Sequence, residues 1–396
     1  MSLSREEILA AAESRRNLIV RLLTDLIRLN TTNPPGNEKL VADYLAEFCR
    51  ERRIPFRTVD PGGARTSLIA EVGSGNSPTL LIPAHSDVVP AGDGWSVPPF
   101  QGVVKDGCVW GRGASDNKGP LAGLFAAVDF LKTIEGSLKG SLLAGALADE
   151  EHGSVLGMSW LLDKANLTAD MAFVPDMTSH LEKVEIAEKG LVNVQVTFRG
   201  KQAHSSMPAE GVSALSALAE LLYRTEHWLP HGSLRAHPLL TPTTCVATVA
   251  EAGVAHNVVP GKASVVYNLR FLPWQTAEGI VQELRTVAQE IAARRKGVNV
   301  TVEKITELGP SEVKPDAPVA QALFQAVQTI RGKTPAFVGV GGATLCKQLI
   351  RAGIPAVAFG PGDPHMPHMA DEHVSIDELV TYTAIVIAAT LSALNG

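Results

Sequence analysis

The segment Leu80-Leu81-Ile82-Pro83-Ala84-His85-Ser86-Asp87 joins an uninterrupted apolar run to two polar side chains at its end. A short apolar run of this kind is typical of a strand that is buried on both faces. His85 and Asp87 therefore follow the carboxyl end of a strand, which is where α/β sheets bind their ligands. Because imidazole and carboxylate together suit zinc and similar divalent ions, the segment predicts a metal site.

Two further apolar segments also end in acidic residues, the first in Glu150 and Glu151 and the second in Asp176. Asp116 follows a loop just before a helical pattern. The two segments are 140–148 and 171–175, and helical patterns at 121–134 and 156–164 separate the predicted strands. Strands that alternate with helices indicate a largely parallel sheet, with its site at the carboxyl ends of the strands.

Length and composition limit the possible classes of protein. A chain of 396 residues is too long for one small core, so two domains are expected. The apolar share of 45% and the charged share of 19% are ordinary for a globular protein. The formal net charge of −6 argues against nucleic acid as the main partner.

The cysteines and the N-terminal segment bear on location. The four cysteines lie far apart in sequence, which favours free thiols in a reducing compartment. Residues 1–28 are charged and helical in pattern, and they lack the apolar core of a signal peptide. No segment is expected to be long and apolar enough to span a bilayer. These features predict a cytoplasmic protein.

A different pattern begins near residue 188. Alternating apolar residues at 190–198 predict a half-exposed strand, and the order strand, helix, strand, strand, helix, strand follows to residue 306. This order indicates a small α+β sandwich with an antiparallel sheet. We therefore predict an α/β protein in which 1–187 and 307–396 form one domain, with a mostly parallel sheet flanked by helices. Residues 188–306 form an inserted domain.

The polar groups expected at the strand ends can be combined into one site. They are His85, Asp87, Asp116, Glu150, Glu151, Asp176 and the group His365, His368 and His373. Five of these residues could hold two metal ions if one carboxylate bridges the pair. Two metal ions about 3.5–4 Å apart are a known arrangement for hydrolysis, because they lower the pKa of a water held between them to about 7. The remaining carboxylate can then act as general base.

These motifs together resemble the M20 metallopeptidase family, which includes acetylornithine deacetylase, succinyl-diaminopimelate desuccinylase, aminoacylase and carboxypeptidase G. The resemblance covers nearly the whole chain and keeps the order of the family's motifs. The matching segments are 85–90 (HSDVVP), 111–119 (GRGASDNKG), 149–154 (DEEHGS), 175–176 (PD), 200–205 (GKQAHS), 256–260 (HNVVP), and His368 four residues before Glu372.

The resemblance implies a set of metal ligands. His85 and Asp176 would bind one metal ion, Glu151 and His368 the other, and Asp116 would bridge both. The family's metal is most often zinc, with cobalt or manganese as alternatives. The peptide bond between Asp116 and Asn117 would be cis. His365 remains an alternative to His368, because three histidines crowd this part of the sequence.

The resemblance also implies catalytic roles. Glu150 would take a proton from the metal-bridging water and give it to the leaving nitrogen. Asp87 would hydrogen-bond His85 and so orient its ring. His204 lies in the inserted domain, and its family equivalent reaches the active site of a partner subunit to stabilise the oxyanion. The inserted domain would then be a lid and dimerisation domain, and the active form a homodimer.

Three residues are expected to contact substrate. Asn257 and Arg270 match family positions that contact a substrate carboxylate, which a planar guanidinium suits. Lys347 stands where the family has arginine, and Leu345 stands where it has aspartate. Because lysine is a point charge rather than a fork, substrate recognition at Lys347 is expected to differ from the family pattern.

We therefore predict a zinc-dependent amidohydrolase that cleaves linear amide C–N bonds in N-acyl amino acids through a metal-bridging hydroxide. A dipeptidase, an exopeptidase or an N-carbamoyl amino acid hydrolase would use the same residues. A metal-binding protein of this fold without catalysis is the alternative from another class. The presence of both Glu150 and His204 argues against that alternative, because neither residue is needed to hold a metal.

Overall fold

The computed structural model describes residues 3–395 and divides them into two compact units. The main unit runs as far as Ile186, resumes at Val313–Val338 and continues from Thr344 onward. The inserted unit comprises Ala187–Glu312 and Gly339–Ala343. The insertion thus ends six residues later than expected, because its last long strand reaches Leu308 and a two-residue strand follows.

From residue 3 to residue 188, the structure describes five α-helices and eight strands. In chain order these are α1 (Arg5–Glu13), α2 (Arg16–Arg28), α3 (Lys39–Glu51), β1 (Phe56–Val59), β2 (Ser67–Gly73), β3 (Thr79–His85), β4 (Val103–Lys105), β5 (Cys108–Trp110), α4 (Lys118–Thr133), β6 (Ser141–Leu147), α5 (Met158–Asp163), β7 (Met171–Thr178) and β8 (Lys183–Glu188).

The second half contains the remaining elements, of which β9 to β13 with α6 and α7 precede residue 313. They are β9 (Gly190–Arg199), α6 (Ala214–Thr225), β10 (Thr244–Ala252), β11 (Lys262–Phe271), α7 (Ala277–Ala293), β12 (Asn299–Leu308), β13 (Ser311–Glu312), α8 (Pro318–Arg331), β14 (Ala336–Val340), α9 (Cys346–Arg351), β15 (Ala356–Gly360), β16 (His373–Ser375) and α10 (Ile376–Asn395).

The sheet of the main unit has the strand order β1-β2-β6-β3-β7-β15-β8. β3 pairs in parallel with β6 and β7, and β7 pairs in parallel with β15. His85 lies opposite Leu147, so β3 and β6 end at the same level. The mostly parallel sheet is confirmed, and the ends of β3, β6 and β7 share one edge, as the sequence predicts.

The central strand is apolar because both of its faces are covered. Leu80 and Leu81 of β3 have no exposed surface, and burial of each contributes about 1.5–3 kcal/mol. α4 is buried along most of its length, and it packs against α2 and α10. The buried sheet therefore holds the carboxyl end of β3 rigidly.

The last helix corrects the expectation that no segment could span a bilayer. Among the described residues, α10 is long and apolar enough to do so by length and composition. However, 61% of its apolar window is buried within the protein, where α10 packs against α4 and α8. Its apolar surface thus belongs to the core of the main unit. Ser375 caps the helix, since its Oγ accepts a hydrogen bond from the Glu378 amide.

The inserted unit contains the predicted antiparallel sheet, with the strand order β10-β11-β9-β12. Val192, Val194 and Val196 on β9 are fully buried and alternate with partly exposed residues. They pack in one core with apolar residues of α6 and α7. β10 is one of the two edge strands and is exposed along most of its length.

Several elements were not predicted. The N-terminal helical segment is two helices, which separate at Ser14 and Arg15. β4, β5 and β16 form a small antiparallel sheet of three-residue strands. Strands of three residues are too short for sequence alternation to be recognised.

Candidate metal centre

His85, at the end of β3, is oriented by the backbone and by Asp87. Its Nδ1 lies 3.1 Å from the Asp87 carbonyl oxygen and 3.5 Å from Asp87 Oδ1. Its Nε2 lies 2.9 Å from Asp116 Oδ1. Since His85 is 1% exposed, this contact is shielded from solvent. The ring therefore presents Nε2 to the acidic groups and uses Nδ1 as its anchor.

Asp116 lies between two histidines. Its Oδ1 faces His85, and its Oδ2 lies 3.4 Å from His368 Nε2. Asn117, not Asp116, occupies the N-cap position of α4. The peptide bond between Asp116 and Asn117 is cis, as expected.

Two groups of three side chains share Asp116. In the first, ligand atoms of His85, Asp116 and Asp176 all lie within 4.8 Å of one another. In the second, the same holds for Asp116, Glu151 and His368. One carboxylate is thus common to two possible metal positions.

The donor atoms of both groups fit divalent metal ions. Each group combines one imidazole with two carboxylates, which is a ligand set suited to zinc. Within the described part of the chain, the buried Glu151 Oε1 has no hydrogen-bond partner. A buried carboxylate oxygen without a partner is costly, and a cation beside it would remove that cost.

The surroundings of the two ligand groups raise the pKa of His368 within them and of Glu150 beside them. The carboxylates of Asp116 and Glu151 raise the pKa of His368 to about 10. Burial first, and then the negative charges of Asp176, Glu151 and Asp87, hold the pKa of Glu150 well above its usual range. A carboxyl group with a raised pKa is suited to exchange a proton near neutral pH.

Glu150 is placed by the backbone that follows β6. The Glu150–His152 segment is a short 3-10 turn. The Glu150 amide donates to Asp87 Oδ1, and the Glu151 amide donates to Asp87 Oδ2, both at 3.1 Å. The Asp87 carboxylate therefore positions both glutamates and His85 at the same time.

A buried network behind Asp87 was not predicted from the sequence. Asn33 Nδ2 donates to Asp87 Oδ2 at 2.9 Å. Arg65 binds both oxygens of Glu38, at 2.7 and 2.8 Å, and donates to Asp149 Oδ1 at 2.9 Å. No local pattern connects Asn33 with Arg65, which lies 32 positions away.

Of the three crowded histidines, the structure brings His368 to the acidic groups. Its Nε2 lies 3.3 Å from Glu151 Oε2. His365 is exposed and pairs with Asp363. His373 stacks on Trp110, with ring centroids 4.0 Å apart.

His204 lies in the inserted unit, on an exposed loop after β9. Its Nδ1 is 2.8 Å from Ser206 Oγ. The Ser205 amide donates to the Asn257 carbonyl oxygen, and His204 forms a backbone bridge with Val258. His204 and Asn257 therefore lie on neighbouring loops of this unit.

The other predicted substrate residues differ in burial. Arg270, on β11 of the inserted unit, donates from Nη1 to the Gly341 carbonyl oxygen at 3.0 Å. Lys347, on α9 of the main unit, is 6% exposed. Leu345 is 1% exposed and belongs to an apolar cluster with Met158. Leu345 therefore fills the core rather than presenting a polar group.

Comparison with known proteins gives one family and close agreement in fold. The model of peptidase family M20/M25/M40 matches residues 81–392. A succinyl-diaminopimelate desuccinylase of Roseobacter denitrificans is 30% identical over 92% of this chain and 96% of its own length. An acetylornithine deacetylase of Myxococcus xanthus is 31% identical over 94% of this chain and 97% of its own length.

A crystal structure of aminopeptidase PepT from Bacillus cereus has the same fold, with a TM-score of 0.80 and 21% sequence identity. The superposition covers 96% of this chain and 98% of the aminopeptidase. It matches the combination of a mostly parallel sheet and a separate antiparallel sheet.

Proposed function

Because the chain belongs to peptidase family M20/M25/M40 and is thus a metal-dependent amidohydrolase, we propose that it hydrolyses the amide bond of N-acyl amino acids with two metal ions. The observation that carries the proposal is the Asp116 carboxylate, which is shared by two ligand groups beside the additional carboxylate of Glu150. The two relatives named as desuccinylase and deacetylase support an N-acyl amino acid as substrate.

The proposed ligands are His85 and Asp176 for one metal ion, and Glu151 and His368 for the other, with Asp116 bridging. Bound divalent ions would supply Lewis acidity and lower the pKa of water at the site. Their donor set suits zinc, which we propose as the native metal, with cobalt and manganese as substitutes.

Glu150 is the proposed general base. Its raised pKa, caused by burial and neighbouring carboxylates, suits a group that accepts a proton from water and then donates it to the leaving nitrogen. Asp87 would hold His85 and the Glu150 backbone in place during both transfers.

His204 is the proposed oxyanion-stabilising residue. His204 is exposed and its Nδ1 pairs with Ser206 on the same loop, so the ring is accessible from solvent. As in the family that the sequence resembles, we propose that it acts in the active site of a partner subunit within a homodimer. The inserted unit would then be both lid and dimerisation domain.

Asn257, Arg270 and Lys347 are the proposed substrate-binding residues. A guanidinium on Arg270 suits a substrate carboxylate. Because Lys347 carries a point charge where the family has arginine, substrate recognition at this position is expected to differ from the family pattern.

The cellular location proposed is the cytoplasm. Cys49, Cys108, Cys245 and Cys346 are all outside disulfide bonds. Cysteines that do not form disulfide bonds are typical of a protein from a reducing compartment.

The proposal is tested by hydrolysis of a substrate panel. Metal-stripped protein would be assayed with N-acetyl, N-succinyl and N-carbamoyl amino acids and with dipeptides, before and after addition of zinc, cobalt or manganese. Metal-dependent release of amine from an N-acyl amino acid is expected. Hydrolysis confined to dipeptides or to N-carbamoyl compounds would contradict the proposed substrate class. The absence of turnover with two metal ions bound would contradict the enzymatic function itself.

A further inference from the structure

Glu372 is buried beside the two ligand groups and belongs to neither of them. Its carboxylate has no exposed surface. Oε1 accepts hydrogen bonds from the amides of Ser115 and Asp116, at 2.8 and 3.0 Å. Oε2 accepts from the Gly113 amide at 3.0 Å and from Arg112 Nη1 at 2.7 Å. Since a carboxylate accepts about four hydrogen bonds, Glu372 is saturated by the loop that carries Asp116.

Arg112 connects this loop to two other segments. It is 1% exposed. Its guanidinium donates to the carbonyl oxygens of Met369 at 3.1 Å and His368 at 3.3 Å. It also donates to the Ala91 carbonyl oxygen at 3.1 Å, on the segment that follows β3. One side chain thus joins the segment after His85, the Asp116 loop and the His368 loop.

The energetics of this pair indicate a role beyond stability. Removal of two charges from water costs several kcal/mol per ion, and well-packed apolar residues often stabilise a core at least as well. Six of the contacts described above are to backbone amides or carbonyls rather than to other side chains. Groups that bind backbone fix the positions of chain segments. The pair therefore fixes the backbone positions from which the side chains of Asp116 and His368 extend.

We propose that Glu372 and Arg112 are positioning residues that set the spacing between Asp116 and His368 and so form the second metal position. This inference rests on the proposed function, because it assigns the pair a role in loading that same site. Neither residue touches the reacting atoms. Both act through the backbone of the ligand-bearing loops.

The two metal positions depend on the pair to different degrees. In the group of Asp116, Glu151 and His368, the pair bonds to the backbone of two ligands, namely the Asp116 amide and the His368 carbonyl oxygen. In the group of His85, Asp116 and Asp176, it bonds to the Asp116 amide, but its contacts on the segment after His85 are with Pro90 and Ala91 rather than with His85 itself. Loss of the pair should therefore weaken one metal position much more than the other.

The test is a cobalt titration of metal-stripped protein, followed by absorption spectroscopy. In the Glu372→Gln variant, an amide NH₂ replaces one acceptor oxygen and faces backbone N–H groups. Loss of such supporting groups typically lowers metal affinity roughly 10- to 100-fold. We expect this loss for one of the two cobalt ions, with an altered spectrum, while the other ion binds with nearly unchanged affinity.

Arg112→Lys provides a second variant, since lysine keeps the charge but cannot span three segments with a planar fork. Asp129→Asn is the matched control, because the Asp129 carboxylate binds Arg15 and Arg52 instead of a ligand loop. Thermal unfolding of the metal-stripped proteins shows whether each variant is folded. The control is expected to lose stability but to keep both cobalt affinities.

Normal affinity and spectra for both cobalt ions in both variants would overturn the inference. An equal loss of both ions, with the same destabilisation as in the control, would also overturn it by showing a purely structural role. If the variants lose one ion selectively but the wild-type protein hydrolyses nothing on the substrate panel, the proposed function fails and the positioning role stands.

Discussion

The edge of the main sheet that carries the proposed metal ligands, here called the ligand edge, differs from the His204 loop of the inserted unit in how firmly its side chains are held. His85 and Asp87 are at most 1% exposed, and each is held by two or more neighbours. His204 is exposed and pairs with Ser206 on its own loop. The contrast suggests that the two regions have different functions. Ligands that must converge on a metal ion need fixed positions, whereas a group that meets substrate only during reaction can remain mobile before binding.

Metal removal should have the largest effect and should act on the main unit. Chelation is expected to abolish hydrolysis, because the ligand edge then lacks its Lewis acids. Metal at about 100 times its Kd should restore activity and add about 2.7 kcal/mol per bound ion to the free energy of unfolding. Calorimetry with and without metal measures this gain. Full activity in the presence of excess chelator would show that the ligand edge takes no part in hydrolysis.

Glu150→Gln should separate metal binding from catalysis within that edge. Glutamine cannot accept the proton, so kcat should fall roughly 10²- to 10⁴-fold. Both metal ions should still bind, because Glu150 belongs to neither ligand group. Steady-state kinetics and metal analysis of the same sample give both values. Turnover at the wild-type rate would contradict the assigned base.

His204→Ala should test the inserted unit in the same comparison, by lowering the rate of hydrolysis without changing metal binding. Loss of an oxyanion-stabilising group typically lowers kcat roughly 10²- to 10³-fold. Because His204 is exposed and packs little, the melting temperature and metal content should not change. Kinetics combined with thermal unfolding check both expectations. His227→Ala, another exposed histidine of the inserted unit, serves as the control and should remain fully active.

Arg270→Lys should have a smaller effect, which appears in KM. A hydrogen bond to a charged group contributes about 1.5–3 kcal/mol, so loss of the guanidinium fork should raise KM roughly 10- to 100-fold. Substrates without the α-carboxylate, assayed with wild type and variant, provide the comparison. Equal loss on both kinds of substrate would show that Arg270 does not bind the carboxylate.

Leu345→Ala should leave the active-site chemistry unchanged. Because Leu345 is 1% exposed within an apolar cluster, its truncation should lower the free energy of unfolding by about 2–5 kcal/mol. Metal stoichiometry and KM should stay close to wild type. Chemical denaturation measures the loss. A large rise in KM without destabilisation would place this position in substrate recognition after all.

Patterns within single segments were sufficient to predict most of the fold. The apolar run before His85 and the alternation of Val192, Val194 and Val196 predicted a buried and a half-exposed strand, and both are confirmed. The expectation that no segment is long and apolar enough to span a bilayer was wrong for α10. A core helix of a large domain can be as long and apolar as a membrane-spanning helix.

By itself the sequence determined the strands, the helices and the polar residues at strand ends, because the side-chain periodicity of each element is a local property. Only the tertiary structure decided which distant residues meet. Glu372 holds the amide of Asp116 from 256 positions away, and Arg65 reaches Asp149 from 84 positions away. That His368 rather than His365 lies beside Asp116 likewise depends on how the loop that carries both histidines is folded against the sheet. These pairings follow from the packing of the whole chain, and no periodicity within a single segment encodes them.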